Sequence, residues 1–297
     1  MTTLAVLLAL LALALCVLFA STRASFTDGP DGQVKAAVIN GTLDSQYWKH
    51  QYLVVLNGGQ CMGMLIAPNV VLTAGHCVDS VLGTNVLIGF APPSLKITSK
   101  AMALLYYDAR KVVRVVRHPK YASVPGENHV YDIALLFLDA PSKKPTIRLA
   151  STLPPDGHNM TLVGRGLTNK YTPDNVSVGP VTIPYGTTMV AQLQYTSPKR
   201  THDLLLQNPQ IDPDFQTVLQ IAQNPTLFCG TSSTGKSGCN GDSGGPLLVT
   251  DSQGNDTLLG VVSNGPAGCN YKATTTSFSF FSSVPYFTEW IRSVAHV

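Results

Sequence analysis

The stretch Gly241-Asp242-Ser243-Gly244-Gly245-Pro246 decides how this chain is read. A serine set between glycines lets the backbone approach a carbonyl group and aim N–H groups at charge developing on it, because no Cβ stands in the way. Two further segments supply what such a serine needs. His76, in Leu72-Thr73-Ala74-Gly75-His76-Cys77, offers a base for a hydroxyl proton. Asp132, in Asp132-Ile133-Ala134-Leu135-Leu136, offers a carboxylate that can hold an imidazole in one tautomer and stabilise its charged form. Singly, each has a plain structural reading: a hydrogen-bonded core histidine, an acid at a strand end, a tight glycine turn. In the order His, Asp, Ser they form a complete set for acyl transfer to a serine hydroxyl.

The remainder of the 297 residues reads as a frame for that set. Hydrophobic residues make up 44% and charged residues 12%, the reverse of the balance that keeps a chain disordered. The net charge of +3 is not gathered into a long basic run, so no nucleic-acid footprint is present. Short apolar runs recur at 52–56, 62–66, 70–72, 86–88, 112–116, 133–138, 161–163, 247–249 and 258–262, with Gly, Pro, Asn and Asp between them. Such spacing predicts an all-β sandwich or barrel. The Thr-, Ser- and Phe-rich stretch 274–283 alternates as a further strand. Residues 285–296 open on a proline and carry Phe287, Trp290, Ile291 and Val294 at helical spacing, which predicts one terminal helix.

Residues 4–20 are apolar throughout and run into Ser21-Thr22-Arg23-Ala24. This predicts a secretory signal over 1–24 cut after Ala24, with a signal anchor as the alternative. The mature chain would be secreted and extracellular, with no membrane span. Sequons at Asn40, Asn159, Asn175 and Asn255 fit an exported glycoprotein. With Cys16 in the signal, five cysteines remain: Cys61, Cys77, Cys229, Cys239 and Cys269. An odd number leaves at least one thiol outside an internal bridge, and no Cys/His spacing points to zinc.

Taken together, the three segments resemble the trypsin/chymotrypsin family of serine endopeptidases. The likeness extends over most of the chain from Val38 onward, with His118-Pro119 and Tyr121 ahead of the Asp segment adding to it. The resemblance implies two six-stranded antiparallel β-barrels over 38–148 and 149–297, a C-terminal helix, and a pro-segment over 25–37. It implies Ser243 as nucleophile, His76 as general base and acid, and Asp132 as the orienting carboxylate. The N–H groups of Gly241 and Ser243 would form the oxyanion hole. Disulfides Cys61–Cys77 and Cys239–Cys269 are implied, which leaves Cys229 as the odd thiol, inert if buried and able to crosslink if exposed. Cleavage after Ala37 would free Val38 to pair with the carboxylate of Asp242. Protein or peptide substrates and protein inhibitors are the implied partners, with no cofactor.

Departures from the family pattern bear on activation and specificity. The nearest basic residue before the expected cut is Lys35, two positions early. The implied base of the primary pocket, Ser237, is neutral and argues against cleavage after Arg or Lys. Ser279, flanked by Phe278 and Phe280, falls where many members have glycine; inward projection of any of the three would make the pocket shallower. Ser263-Asn264-Gly265 would line the substrate backbone without the usual indole. Gly164-Arg165-Gly166 replaces a Gly-Trp-Gly, read as a surface change, and Lys236 reads as a solvated surface lysine. The calcium-loop region, between Val81 and Met102, has no acid, so no metal is expected there. The alternative to an active endopeptidase is a catalytically silent binding or inhibitor protein on the same fold.

Overall fold

A computed structural model describes residues 38–92, 95, 99–124, 128–165, 177–178, 181–182, 188–207, 222–265 and 276–297. The expected signal and pro-segment, Cys269 and Asn175 lie outside the described residues.

The chain enters through β1 (Thr42–Leu43) and then builds the first barrel. Its strands are β2 (Leu53–Leu56), β3 (Cys61–Ala67), β4 (Val70–Thr73), β5 (Asn85–Ile88) and β6 (Asp108–Arg117). After the hairpin β7 (Ala122–Val124) and β8 (Asn128–Val130), β9 (Ala134–Leu138) completes it, closed in the order β2-β3-β4-β9-β6-β5. Every residue of β2 and β4 is buried, and both are apolar except for Thr73 at the end of β4. Closure removes free edges and lets inward side chains such as Leu53, Met64, Leu72 and Leu135 fill the interior.

The short β10 (Arg148–Leu149) leads to the second barrel. It comprises β11 (Asn159–Gly164), β14 (Met189–Thr196), β15 (Leu227–Ser232), β16 (Pro246–Thr250), β17 (Asp256–Asn264) and β18 (Ser277–Ser283), with the hairpin β12 (Ser177–Val178) and β13 (Val181–Thr182) between β11 and β14. The sheet order β14-β11-β16-β17-β18-β15 closes because β15 also pairs with β14 through Thr196↔Cys229. Leu162, Leu193, Phe228, Leu259 and Phe281 form its core. β1 joins β14 of this barrel, so the entering segment is held by the half of the fold that carries the serine loop.

The terminal helix is present as Val284–Ala295. Ser283 caps it by accepting from the Tyr286 N–H, Pro285 occupies its first turn, and His296 ends it in the left-handed region. Phe287, Ile291 and Ala295 share the buried face and join the cluster that runs into the first barrel. Burying a Phe or Ile side chain is worth about 1.5–3 kcal/mol, which fastens this helix to the fold. Two short helices were not anticipated from the sequence: Lys100–Tyr106, capped by the Ser99 hydroxyl, and Pro198–Gln207, which buries Leu205. Proline at the start of the latter, ahead of Leu204 and Leu205, was the available signal.

A buried polar cluster ties the entering segment to β17. His50, only 5% exposed, sets its Nδ1 2.8 Å from Asp44 Oδ2 and its Nε2 3.6 Å from Asp256 Oδ2. Burial alone would lower the imidazole pKa, but the carboxylates of Asp256 and Asp44 outweigh it and hold it above the ordinary value. A pKa raised on folding gives stability that is complete below the unfolded value, about 6.5, and is lost as pH rises through the folded value. Tm is therefore expected to decline above that region, and His50→Gln to flatten the decline. Scanning calorimetry across neutral and alkaline pH checks this, and an unaltered slope in the variant would exclude His50 as its source.

Candidate active site

His76 lies in a single helical turn, Gly75–Cys77, directly after β4, and the Cys61–Cys77 disulfide ties that turn back to the start of β3. Asp132, 0% exposed, sits just before β9 and receives four hydrogen bonds. Its Oδ2 meets His76 Nδ1 at 2.8 Å and accepts from the Ser263 hydroxyl at 2.6 Å. Its Oδ1 accepts from the His76 backbone N–H at 2.8 Å, and its carbonyl from the Ser282 hydroxyl at 2.6 Å. Burial on its own would raise the carboxyl pKa; the hydrogen bond and charge of His76, then the Ser263 hydroxyl, reverse this and hold it below the ordinary value. An ionised Asp132 keeps the imidazole proton on Nδ1, which makes Nε2 the basic nitrogen.

Ser263 reaches the carboxylate through a β-bulge. Between β17 and β18 the register steps from Val262↔Phe281 to Asn264↔Phe280, leaving Ser263 as the extra residue. A bulge re-aims a side chain out of the ladder, here toward Asp132.

The Ser243 loop is fastened to both barrels. The Ser243 carbonyl accepts from the Met62 N–H of β3 at 2.7 Å, and the Gly244 N–H donates to Val262 O of β17 at 2.8 Å. Gly244 has φ +76°, and a Cβ there would strike the Met62 carbonyl and the Thr73 hydroxyl. Only glycine fits, and the loop thereby lies against the strand that leads to His76. Ser243 is half-buried. Among the described residues, the N–H groups of Gly241 and Ser243 donate to no backbone carbonyl outside the regular elements.

Val38 is fully buried in the second-barrel core, and Ile39 pairs with Ser237 through Ile39 N–H to Ser237 O at 2.9 Å. Asp242 is also 0% exposed, and its Oδ2 accepts from the Cys239 N–H at 2.9 Å. Both lie against Gly164: a Cβ there would collide with the Asp242 carboxylate and stand 2.7 Å from Val38 Cγ2. The absence of that Cβ is what admits Val38 beside the acid.

Ser237 and Ser279 are buried and share a hydrogen bond of 2.7 Å between their hydroxyls. The Ser279 oxygen also accepts from the Gly238 N–H at 3.3 Å. Phe278 and Phe280 belong instead to the apolar cluster with Leu205 and Cys229, so of the three residues Ser279 is the one that faces Ser237. Ser263 and Asn264 are buried and Gly265 is exposed. Lys236 is half-buried, and its carbonyl accepts from the Ser277 hydroxyl. Cys239 is disulfide-bonded, and its expected partner Cys269 lies outside the described residues.

A family model described as Trypsin matches residues 39–291. The chain belongs to the trypsin family. Trypsin-1 of Salmo salar is 28% identical over 262 residues, covering 86% of this chain and 90% of its own length. Glucanase inhibitor protein 4 of Phytophthora infestans is 26% identical over 210 residues, 69% of each chain. The solved structure of neuropsin, a serine protease expressed in the limbic system of mouse brain, shares the fold at TM-score 0.59 and 22% identity, over 86% of this chain and 98% of its own.

Within this trypsin-family fold one expectation is overturned. Arg165, read as a surface change, is only 4% exposed, and its guanidinium lies 5.1 Å from the centre of the Phe90 ring. A guanidinium over an aromatic face keeps favourable electrostatics when desolvated, which lets arginine stand in an interior position. Cys229 is buried among Leu205, Leu227 and the two phenylalanines, and burial pushes its thiol up to about 12. A thiol held that high stays protonated and inert. The sequence reading missed Ser282, whose hydroxyl positions the Asp132 backbone; no local signal marks it. Among the described residues, Cys61, His76 and Cys77 place ligand-type atoms together, but both sulfurs are spent in their disulfide. No helix among the described residues is long and apolar enough to cross a membrane.

Proposed function

We propose that this chain is a secreted serine endopeptidase acting through Ser243, His76 and Asp132. The buried Asp132 carboxylate, bonded at once to His76 and Ser263, carries this reading. Ser243 Oγ attacks the substrate carbonyl while its proton passes to His76 Nε2, and Asp132 stabilises the imidazolium. The oxyanion is received by the N–H groups of Gly241 and Ser243. His76 then protonates the departing amine, and water hydrolyses the acyl-enzyme by the same steps in reverse. Activity is expected to fall in acid, where a protonated imidazole cannot accept the serine proton.

The signal over 1–24 delivers the chain to the exterior, and removal of 25–37 by a protease of small-residue preference frees Val38 to pair with Asp242. The buried Ser237–Ser279 pair carries no negative charge to match a cationic side chain, and as the base and wall of the proposed pocket it would favour small or medium apolar groups at the cleavage site. Ser279→Gly is expected to raise kcat/KM for a phenylalanine substrate relative to an alanine one by about ten-fold. Paired peptide anilides measure it, and an unchanged ratio would remove Ser279 as a specificity residue.

A silent binding or inhibitor protein is the second reading, favoured by the likeness to a glucanase inhibitor protein and by Ala37 at the expected cut. Intact mass before and after a fluorophosphonate probe separates the two. One adduct on a chain beginning at Val38 supports the endopeptidase. No adduct on that same chain favours the silent protein. A chain still carrying residues before Val38 is first processed and then probed again.

A further inference from the structure

Asp132 is aimed by its backbone, and the residue that leads into that backbone is Tyr131. The Ile133 N–H donates to the Tyr131 carbonyl at 2.9 Å, so Asp132 stands at the centre of a three-residue turn. The chain enters this turn through Tyr131 in the left-handed region, at φ +52°. A bulky L-residue rarely adopts that conformation, because its Cβ crowds the following carbonyl oxygen. Asn40 and His296, which also have positive φ, have ordinary grounds for it. Asparagine tolerates the region, and His296 closes the terminal helix. Tyr131 has neither reason. Asparagine or glycine would hold the same backbone at less cost, so what the tyrosine adds is its ring.

The ring stacks on the His118 imidazole, with centres 5.0 Å apart and planes 21° from parallel. His118 is itself braced by Trp290 at 4.9 Å and Phe287 at 5.3 Å, both on the terminal helix. Its Nδ1 accepts from the Lys120 N–H at 3.2 Å, which fixes the orientation of the imidazole. The same residue grips the far side of the turn, where its backbone N–H donates to the Ile133 carbonyl at 3.0 Å. His118 therefore holds Tyr131 by its ring and Ile133 by its backbone, one on each side of Asp132. Ser282 takes the carbonyl between them, that of Asp132 itself. A turn fixed at three points aims its central side chain in one direction, here toward His76 Nδ1 at 2.8 Å. We propose that Tyr131 is a positioning residue: stacked on His118, its ring holds the left-handed entry to the turn and keeps the Asp132 carboxylate on His76. This rests on the reading of Ser243, His76 and Asp132 as a working triad. In this role Tyr131 acts through Asp132 and touches no reacting atom.

Two readouts on the processed chain beginning at Val38 test it. A strongly deshielded Nδ1 proton signal in the NMR spectrum, assigned with nitrogen-labelled histidine and by its loss in His76→Gln, reports the His76–Asp132 bond. The rate of fluorophosphonate adduct formation at Ser243 reports the assembled triad. Tyr131→Asn suits the left-handed backbone but removes the ring, and is expected to abolish or shift the signal and slow the adduct about ten-fold. Tyr131→Phe keeps the ring and is expected to match the parent in both. His118→Leu keeps the backbone bond to Ile133 and removes the stack from the other side. It is expected to behave like Tyr131→Asn, with the double variant no slower than either single one. Should Tyr131→Asn fail to fold, Tyr131→Phe and His118→Leu give the same decision. Parental signal and rate in Tyr131→Asn or in His118→Leu overturn the proposal. So does their loss in Tyr131→Phe, which would move the role from the ring to the hydroxyl, and so do effects of the two single variants that simply add. A parent without the signal lacks the held pair and also overturns it. A parent with the signal but no adduct removes the endopeptidase reading alone, and the signal then decides among the variants.

Discussion

Ser243→Ala is expected to lower peptide hydrolysis about 10⁴- to 10⁶-fold while leaving the fold intact. The size follows from the proposed chemistry: without Oγ no acyl-enzyme would form, and what would remain is stabilisation of a direct water attack by the N–H groups proposed to receive the oxyanion. The loop is held by backbone bonds, Ser243 O to Met62 N–H and Gly244 N–H to Val262 O, which alanine preserves. Progress curves on a processed chain measure the drop, and circular dichroism checks the fold. Hydrolysis at the parental rate would discredit the triad assignment.

Asp242→Asn is expected to lower kcat/KM about 10²- to 10³-fold with the His76–Asp132 pair untouched. Asp242 has no exposed surface, and Gly164 is bare so that Val38 can lie beside it. On the proposed activation, the amino group freed at Val38 would add a cation beside this buried carboxylate. Losing one member of a buried pair costs about 3–5 kcal/mol, and on the proposed activation that loss would fall on the loop carrying Ser243. Full activity in this variant would show that pairing at Val38 does not organise the site.

How much of this was legible in the sequence varied with distance along the chain. His76, Asp132 and Ser243 stood out because each sits in a short run whose residue types match one chemical task. The strands were legible because β2 and β9 are unbroken apolar stretches and β4 is apolar up to Thr73. The terminal helix was legible from Pro285 and the spacing of Phe287 and Ile291. Arg165 was misread because a charged residue between glycines looks solvated, and nothing local announces the Phe90 ring beneath it. The pairing of Ser279, and not its phenylalanine neighbours, with Ser237 was left open because alternation along a strand does not say which face looks inward.

The amino-acid sequence by itself determined the inventory: a serine between glycines, a histidine, a carboxylate, and short apolar runs that called for an all-β sandwich or barrel. Only the tertiary structure decided how that inventory is held. Ser263 and Ser282 reach Asp132 across 131 and 150 residues, and a register step at Val262 turns Ser263 toward the carboxylate. The gathering of Asp44 and Asp256 about the buried His50 is of the same kind. Local pattern reports which face of a strand is apolar, because burial repeats with the strand's own period. It carries no record of hydrogen bonds between strands far apart in sequence, whose partners meet only once both barrels have closed.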